Sequence, residues 1–163
     1  MVDRTSRDLL ALRLRQYVSG RIINDDLDDT MWEMGDDPGA VAVSEMAWQL
    51  YDDTLTHRAT GRHHIDHEGR REISRWILFL DSDLEYEWPR YSFIGIDPFI
   101  LSLITFGIAG LIHHRRWKRF VGAGPFEIWP FMHQEDLDRA IKDPRRLAGT
   151  QDSEQDPALK DQP

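Results

Sequence analysis

Hydrophobic residues recur at helical spacing early in the chain, and capping residues mark where the helices begin. Leu10, Leu14 and Tyr17 fall on one face of a first helix. We predict that this helix runs from Ser6, its N-cap, to Gly20, which ends it. The chain is therefore expected to open with an amphipathic helix whose apolar face packs on the rest of the protein.

Three further helices are predicted downstream, each starting at a residue type that caps helices. Asn24 starts a short one, whose acidic first turn suits the positive end of the helix dipole. Asp37, followed by a proline at the first helical position, starts a helix that we expect to reach about Asp53. Asp66 starts the fourth, which cannot pass Pro89 because the residue preceding a proline avoids helical geometry, and we expect its true end a few residues earlier.

The most apolar stretch, residues 99–112, carries no charged side chain, and a basic cluster (residues 113–119) follows it directly. A membrane-spanning helix needs about 20 mainly apolar residues, a length that this region reaches only by including Asp97 and a proline. We therefore interpret residues 98–112 as the central helix of a soluble core. The alternative is a peripheral or single-span membrane protein, anchored by residues 93–112 with the basic cluster on the lipid surface.

The C-terminal region combines a short β pattern, a helix and a polar tail. Residues 126–131 alternate and predict a short strand, which Pro130 places at a sheet edge or at the strand's end. Residues 135–142 predict a last short helix, and the polar residues 145–163 predict a disordered tail. The expected fold class is mainly α. It comprises one small domain of about five to six helices over residues 1–144, with the short β element near residues 126–131.

Composition and charge narrow the function classes. The 163 residues have a formal net charge of -9, the pI is near 5.2 and the mean hydropathy is -0.54. An acidic chain is a poor partner for phosphate backbones, so we expect no nucleic acid and favour a protein partner that is itself basic. The absence of cysteine excludes disulfides and thiolate metal sites. The charged N-terminus has no apolar signal region, so the expected location is cytoplasmic, with membrane association as the alternative.

Two clusters of opposite charge are candidate interaction sites. Four carboxylates crowd the predicted end of the fourth helix, where the helix dipole disfavours negative charge. Solvation by water is one explanation, a catalytic carboxylate pair is another, and pairing with the basic cluster is the third. We favour the pairing, which would dock the apolar stretch on the fourth helix. The two clusters are Asp81, Asp83, Glu85 and Glu87 on one side, and Arg115, Arg116, Lys118 and Arg119 on the other.

A histidine-rich loop at residues 57–67 is the candidate metal site. Its histidines are His57, His63, His64 and His67, and the last three are the possible ligands. His63 and His67 are four residues apart, which on a helix places two imidazoles on one face. The motif HExxH is missing, however, and a solvated loop whose histidines titrate near neutral pH explains the same residues.

Trp88 and Trp129 each precede a proline, an extended step that presents a large amphipathic ring. Packing in the core is the favoured interpretation, and an exposed aromatic binding surface is the alternative. The candidate interaction residues are Asp81, Asp83, Glu85, Glu87, Trp88, Arg115, Arg116, Trp117, Arg119 and Trp129.

The segments around these two tryptophans also carry a resemblance. SDLEYEWP at residues 82–89 and IWPF at residues 128–131 resemble a pattern in small bacterial proteins of unassigned function. The resemblance implies a small bacterial domain and transfers no activity, cofactor or site.

No P-loop, dinucleotide fingerprint or nucleophile elbow is present in the sequence, and we expect no cofactor. The sequence therefore favours a small acidic interaction protein without enzymatic activity, an adaptor or an inhibitor of a basic partner. The second interpretation is the membrane protein described above. The third is a metal-dependent hydrolase that uses the histidine loop. The oligomeric state stays open.

Overall fold

The computed structural model describes residues 1–31, 33–50, 54–91 and 108–144. These ranges contain six α-helices and, as predicted, the fold is mainly helical. The helices are α1 (Arg4–Val18), α2 (Asn24–Met31), α3 (Pro38–Ala47), α4 (His67–Leu80), α5 (Ile108–Val121) and α6 (Gln134–Lys142). Three short 3₁₀ turns connect them, at Trp48–Leu50, Gly61–His63 and Phe126–Ile128. The predicted disordered tail, residues 145–163, lies outside the described residues.

Helix α1 lies at the centre of the fold, because it packs against α2, α3 and α4. Its residues Leu10 and Leu14, predicted to share a buried face, are fully buried. Helix α4 packs on α1 with one side and on α6 with another. The core is therefore built around the α1–α4 contact, and hydrophobic side chains from all the neighbouring elements close it.

The first helix starts earlier than the sequence indicated. Asp3, and not Ser6, is the N-cap: its carboxylate accepts a hydrogen bond from the backbone N–H of Thr5 at 2.9 Å. Ser6 lies inside the helix and donates its hydroxyl proton to the same carboxylate at 2.6 Å. Both residue types cap helices, so local sequence did not distinguish them.

The caps of α3 and α4 are confirmed, and α3 is shorter than predicted. Asp37 accepts hydrogen bonds from the first backbone amides of α3, and Asp66 accepts one from the N–H of Gly69. Helix α3 stops at Ala47, where the chain tightens into a 3₁₀ turn, and the predicted end at Asp53 falls outside the described residues. Helix α4 stops at Leu80, several residues before the proline that the sequence used as its limit.

The predicted strand at residues 126–131 is wrong, and no strand occurs in the parts of the chain that the structure describes. Phe126–Ile128 forms a 3₁₀ turn, and the Trp129–Pro130 peptide bond after it is cis. Ile128, Trp129 and Phe131 are all buried, so the side chains do not alternate between two faces as those of an edge strand do.

Helix α5 extends further than predicted. The sequence ended the apolar helix at residue 112, whereas α5 continues through the basic cluster to Val121, since no glycine or proline interrupts the chain before Gly122. Ile112, assigned to a buried helix, is 48 % exposed. Most of the predicted anchor, residues 93–107 of 93–112, lies outside the described residues. Within the described ranges, no helix is both long enough and apolar enough to cross a membrane.

Candidate interaction surfaces

A buried ion pair joins α1 to the start of α3. Arg7 donates to both carboxylate oxygens of Asp37, from Nε at 2.7 Å and from a terminal nitrogen at 3.1 Å, and both side chains are fully buried. The Asp37 carboxylate also accepts the N–H groups of Asp3, Gly39 and Ala40. Burial alone raises the pKa of Asp37, but the hydrogen bonds from Arg7 and from Asp3 outweigh it, so this pKa lies below its ordinary value.

The same face of α1 also holds the end of α4. Arg7 donates to the carbonyl oxygens of Ser82 and Leu84 at 3.0 and 2.9 Å, and its guanidinium carbon lies 4.9 Å from the centre of the Phe79 ring. Arg4 donates to the carbonyl oxygens of Leu80 and Ser82 at 2.9 and 2.7 Å. Arg4 therefore satisfies one carbonyl group, that of Leu80, which the end of α4 leaves without an intrahelical partner, and both arginines bind the segment that follows the helix.

The four carboxylates of residues 81–87 find cations at the start of the chain and near α6. Asp81 is buried and forms a short ion pair with Arg15 of α1. The other three pairs are Asp83 with Arg4 at 3.5 Å, Glu85 with the N-terminal amine at 3.2 Å, and Glu87 with His133 at 3.7 Å. The predicted docking on Arg115, Arg116, Lys118 and Arg119 is wrong, because these four cations have no ion pair within the described ranges.

Sequence reasoning missed Arg4, Arg7 and Arg15. Residues 4, 7 and 15 share one side of α1, since helical rotation brings them within about 80° of one another. They lie on the same side as Ala11, which is fully buried. The sequence does contain a signal for them, because three cations lie on the apolar side of an amphipathic helix. Such cations need acidic or carbonyl partners inside the protein, since a buried charge without a partner is costly.

The two tryptophans of the Trp-Pro steps lie in the core, as favoured. Trp88 is 3 % exposed and donates its indole N–H to the carbonyl oxygen of Phe131 at 3.1 Å. Trp129 is 1 % exposed and donates to the hydroxyl of Tyr86 at 3.2 Å. Burial raises the pKa of Tyr86, and the hydrogen bond from Trp129 opposes this only in part. Neither Trp88 nor Trp129 belongs to an exposed binding surface.

Helix α5 exposes the basic cluster. Phe120, near its C-terminal end, is buried against the rings of Trp88 and Phe126, at centroid distances of 5.3 and 5.8 Å. Trp117, one turn earlier, contacts the Tyr91 ring at 5.4 Å and stays 36 % exposed. The remaining side chains from residue 114 to residue 119 are exposed. Aromatic packing at one end therefore fixes this helix on the protein while its cations face solvent.

In the described chain, the histidine loop brings no three possible metal ligands together. His57 contacts the Tyr17 hydroxyl through Nε2 at 3.1 Å, and its ring stacks on that of His63 at 4.1 Å. His63 accepts a hydrogen bond from Arg62, and the Nε2 atom of His64 is hydrogen-bonded to Arg70. His67 is an exposed residue in the first turn of α4. Across the described residues, no three histidine or acidic side chains are close enough to hold a metal ion.

An acidic surface on α2 was not singled out by the sequence. The helix buries Asn24, Leu27, Thr30 and Met31, and it exposes Asp26 and Asp29 on its outer side. Asp26 and Asp29 on the helix, with Glu33 and Asp36 just after it, are exposed and form no ion pair in the described part of the chain. We call these four residues the α2 acidic face.

Comparison with known proteins assigns no family to this chain. No protein-family model matches it, no curated protein matches it, and no solved structure matches it. The resemblance of residues 82–89 and 128–131 to small bacterial proteins therefore stays a prediction, and the function is inferred from the surfaces described above.

Proposed function

We propose that this protein is a non-enzymatic interaction protein that binds a basic partner through the α2 acidic face. The observation that carries the proposal is the difference between its two acidic regions. Three of the four carboxylates of residues 81–87 have cations beside them and the fourth has a histidine, whereas the four residues of the α2 acidic face have no ion pair in the described structure. Exposed charges of one sign steer a partner of the opposite sign to the surface that carries them.

The surroundings of this face strengthen the local field. Between Arg21 and Arg58 the sequence contains no lysine or arginine. The buried side of α2 packs on α1 and α3, so the face has a rigid support. Asp26 also accepts a hydrogen bond from the N–H of Ile23 at 3.1 Å, which orients its carboxylate at the helix start. A partner with a row of lysines or arginines would meet a preorganised surface.

The test compares two variants with the same net charge. The first carries Asp26→Asn, Asp29→Asn, Glu33→Gln and Asp36→Asn, and the second carries Glu68→Gln, Glu127→Gln, Glu135→Gln and Asp138→Asn. All eight side chains are exposed and outside the ion pairs of the described structure, so both variants lose four negative charges with little change in stability.

Binding of a fluorescent lysine-rich helical peptide is followed by anisotropy at low ionic strength. We expect saturable binding to the wild type and to the second variant, and a loss of roughly tenfold or more in affinity for the α2 variant, since close charge pairs contribute about 1.5 kcal/mol or more. Equal loss in both variants would mean that only the diffuse charge of the chain attracts the peptide, and the proposal would fail.

A further inference from the structure

We propose that α5 docks the protein on an anionic membrane surface, with the helix lying along the lipid headgroups. The contact surface is the stripe formed by Ile112, Arg115, Arg116 and Arg119. This inference does not depend on the α2 acidic face, because it concerns a different helix and a ligand of opposite charge.

The spacing of these four residues gives α5 one continuous outer face. Positions i, i+3, i+4 and i+7 lie above one another on a helix, and residues 112, 115, 116 and 119 have this spacing. Helical rotation places Trp117 and Phe120 about 150° and about 90° around the helix from the centre of the stripe, and both rings pack against aromatic rings of the protein body. The stripe therefore faces away from the protein body, in agreement with its exposure.

The chemistry of the stripe suits phosphate-bearing headgroups beside an apolar layer. An arginine guanidinium forms paired hydrogen bonds with phosphate or carboxylate oxygens, and the three in the stripe have no ion pair in the described structure. Within the stripe, Ile112 is 48 % exposed and offers an apolar side chain to the acyl boundary beneath the headgroups.

Charge elsewhere in the chain determines the orientation of docking. The formal net charge is -9, so most of the protein is repelled by an anionic bilayer. Helix α5 contains no acidic residue and carries Lys118 next to the stripe. The exposed face of α5 can therefore approach an anionic bilayer with little repulsion. A lipid surface is favoured over nucleic acid because a phosphate backbone offers no apolar layer to the exposed Ile112.

The test is co-sedimentation of the full chain with vesicles of phosphatidylcholine containing about one third phosphatidylserine, against vesicles of phosphatidylcholine alone. Each arginine near an anionic surface strengthens binding about fivefold. The variant Arg115→Gln, Arg116→Gln, Arg119→Gln is therefore expected to lose roughly 100-fold in partition coefficient. Binding of the wild type is expected to fall steeply between about 0.1 M and 0.5 M salt.

The matched control is Arg21→Gln, Arg62→Gln, Arg71→Gln, which removes the same charge from exposed arginines outside α5. We expect its binding to stay within about twofold of wild type, because none of these arginines lies on α5 or next to a residue that packs on it. Circular dichroism checks that both variants keep their helices. Equal binding to both vesicle types, equal loss in both variants, or tighter binding to a short DNA duplex than to the anionic vesicles would each overturn the inference.

Discussion

Replacing Arg7 by methionine is expected to be among the most destabilising single changes in this chain. Methionine has a similar length and a similar helix propensity, so the change removes the charge and the hydrogen bonds while keeping most of the volume. Arg7 joins α1 to Asp37 and to the carbonyl oxygens of Ser82 and Leu84. Its loss therefore affects three separate parts of the fold at once.

The magnitude follows from what each partner loses. Removing one member of a buried ion pair costs about 3–5 kcal/mol, and the lower end applies here because Asp37 keeps three backbone N–H donors. The carbonyls of Ser82 and Leu84 are only partly buried and regain water, which adds roughly 1 kcal/mol. The expected loss is about 4 kcal/mol, a large part of the 5–15 kcal/mol typical of a domain.

Urea unfolding followed by tryptophan fluorescence and circular dichroism measures this loss. With a slope of about 2 kcal/mol per M, the midpoint is expected to fall by about 2 M. Arg71→Met on the exposed side of α4 is the control and is expected to change stability by less than about 0.5 kcal/mol.

The double variant Arg7→Met, Asp37→Asn separates the ion pair from the cap. Asparagine still caps α3 but carries no charge, so the double variant is expected to be about 1–2 kcal/mol more stable than the sum of the single effects predicts. A loss below about 1 kcal/mol for Arg7→Met, or additive losses for the two changes, would refute the reasoning that the buried charges depend on each other.

Two further predictions concern the same junction. The pKa of Asp37 in the folded chain lies below the ordinary value of 3.8, so on acidification the carboxylate of Asp37 is protonated first in the unfolded chain. The stabilisation of the folded state by the ionised Asp37 is complete above about pH 4, and it is lost as the pH falls through the folded-state pKa. Unfolding free energies measured from neutral to acidic pH should therefore fall less steeply for Asp37→Asn, and an unchanged acid slope would contradict this. Gly39→Ala is expected to destabilise by about 1–3 kcal/mol despite alanine's better helix propensity, because the new Cβ would lie 2.8 Å from both Arg7 and Phe79. Thermal unfolding checks it, and a stabilised variant would show that the junction relaxes freely.

Local signals in the sequence accounted for the helices and several of their ends. The spacing of Leu10 and Leu14 indicated the buried face of α1, and Asp37 and Asp66 indicated where α3 and α4 begin. These features depend on hydrogen bonds and side-chain directions within one or two helical turns, so they can be derived from neighbouring residues. The β pattern at residues 126–131 failed because the alternation of apolar residues in so short a segment does not determine its backbone conformation.

Partners distant in sequence could be assigned only from the tertiary structure. The carboxylates at the end of α4 indicated that nearby cations were needed. From the sequence alone, either the basic cluster or the arginines of α1 could have supplied them. Arg15 reaches Asp81, 66 residues away, because α1 and α4 pack side by side. As a result, the cations of α5 face solvent.

The sequence by itself thus determined which segments are helical and which faces are apolar, since both depend on the order of neighbouring side chains. The tertiary structure decided which charges neutralise each other and which stay exposed, since electrostatic pairing depends on distances that only helix packing sets.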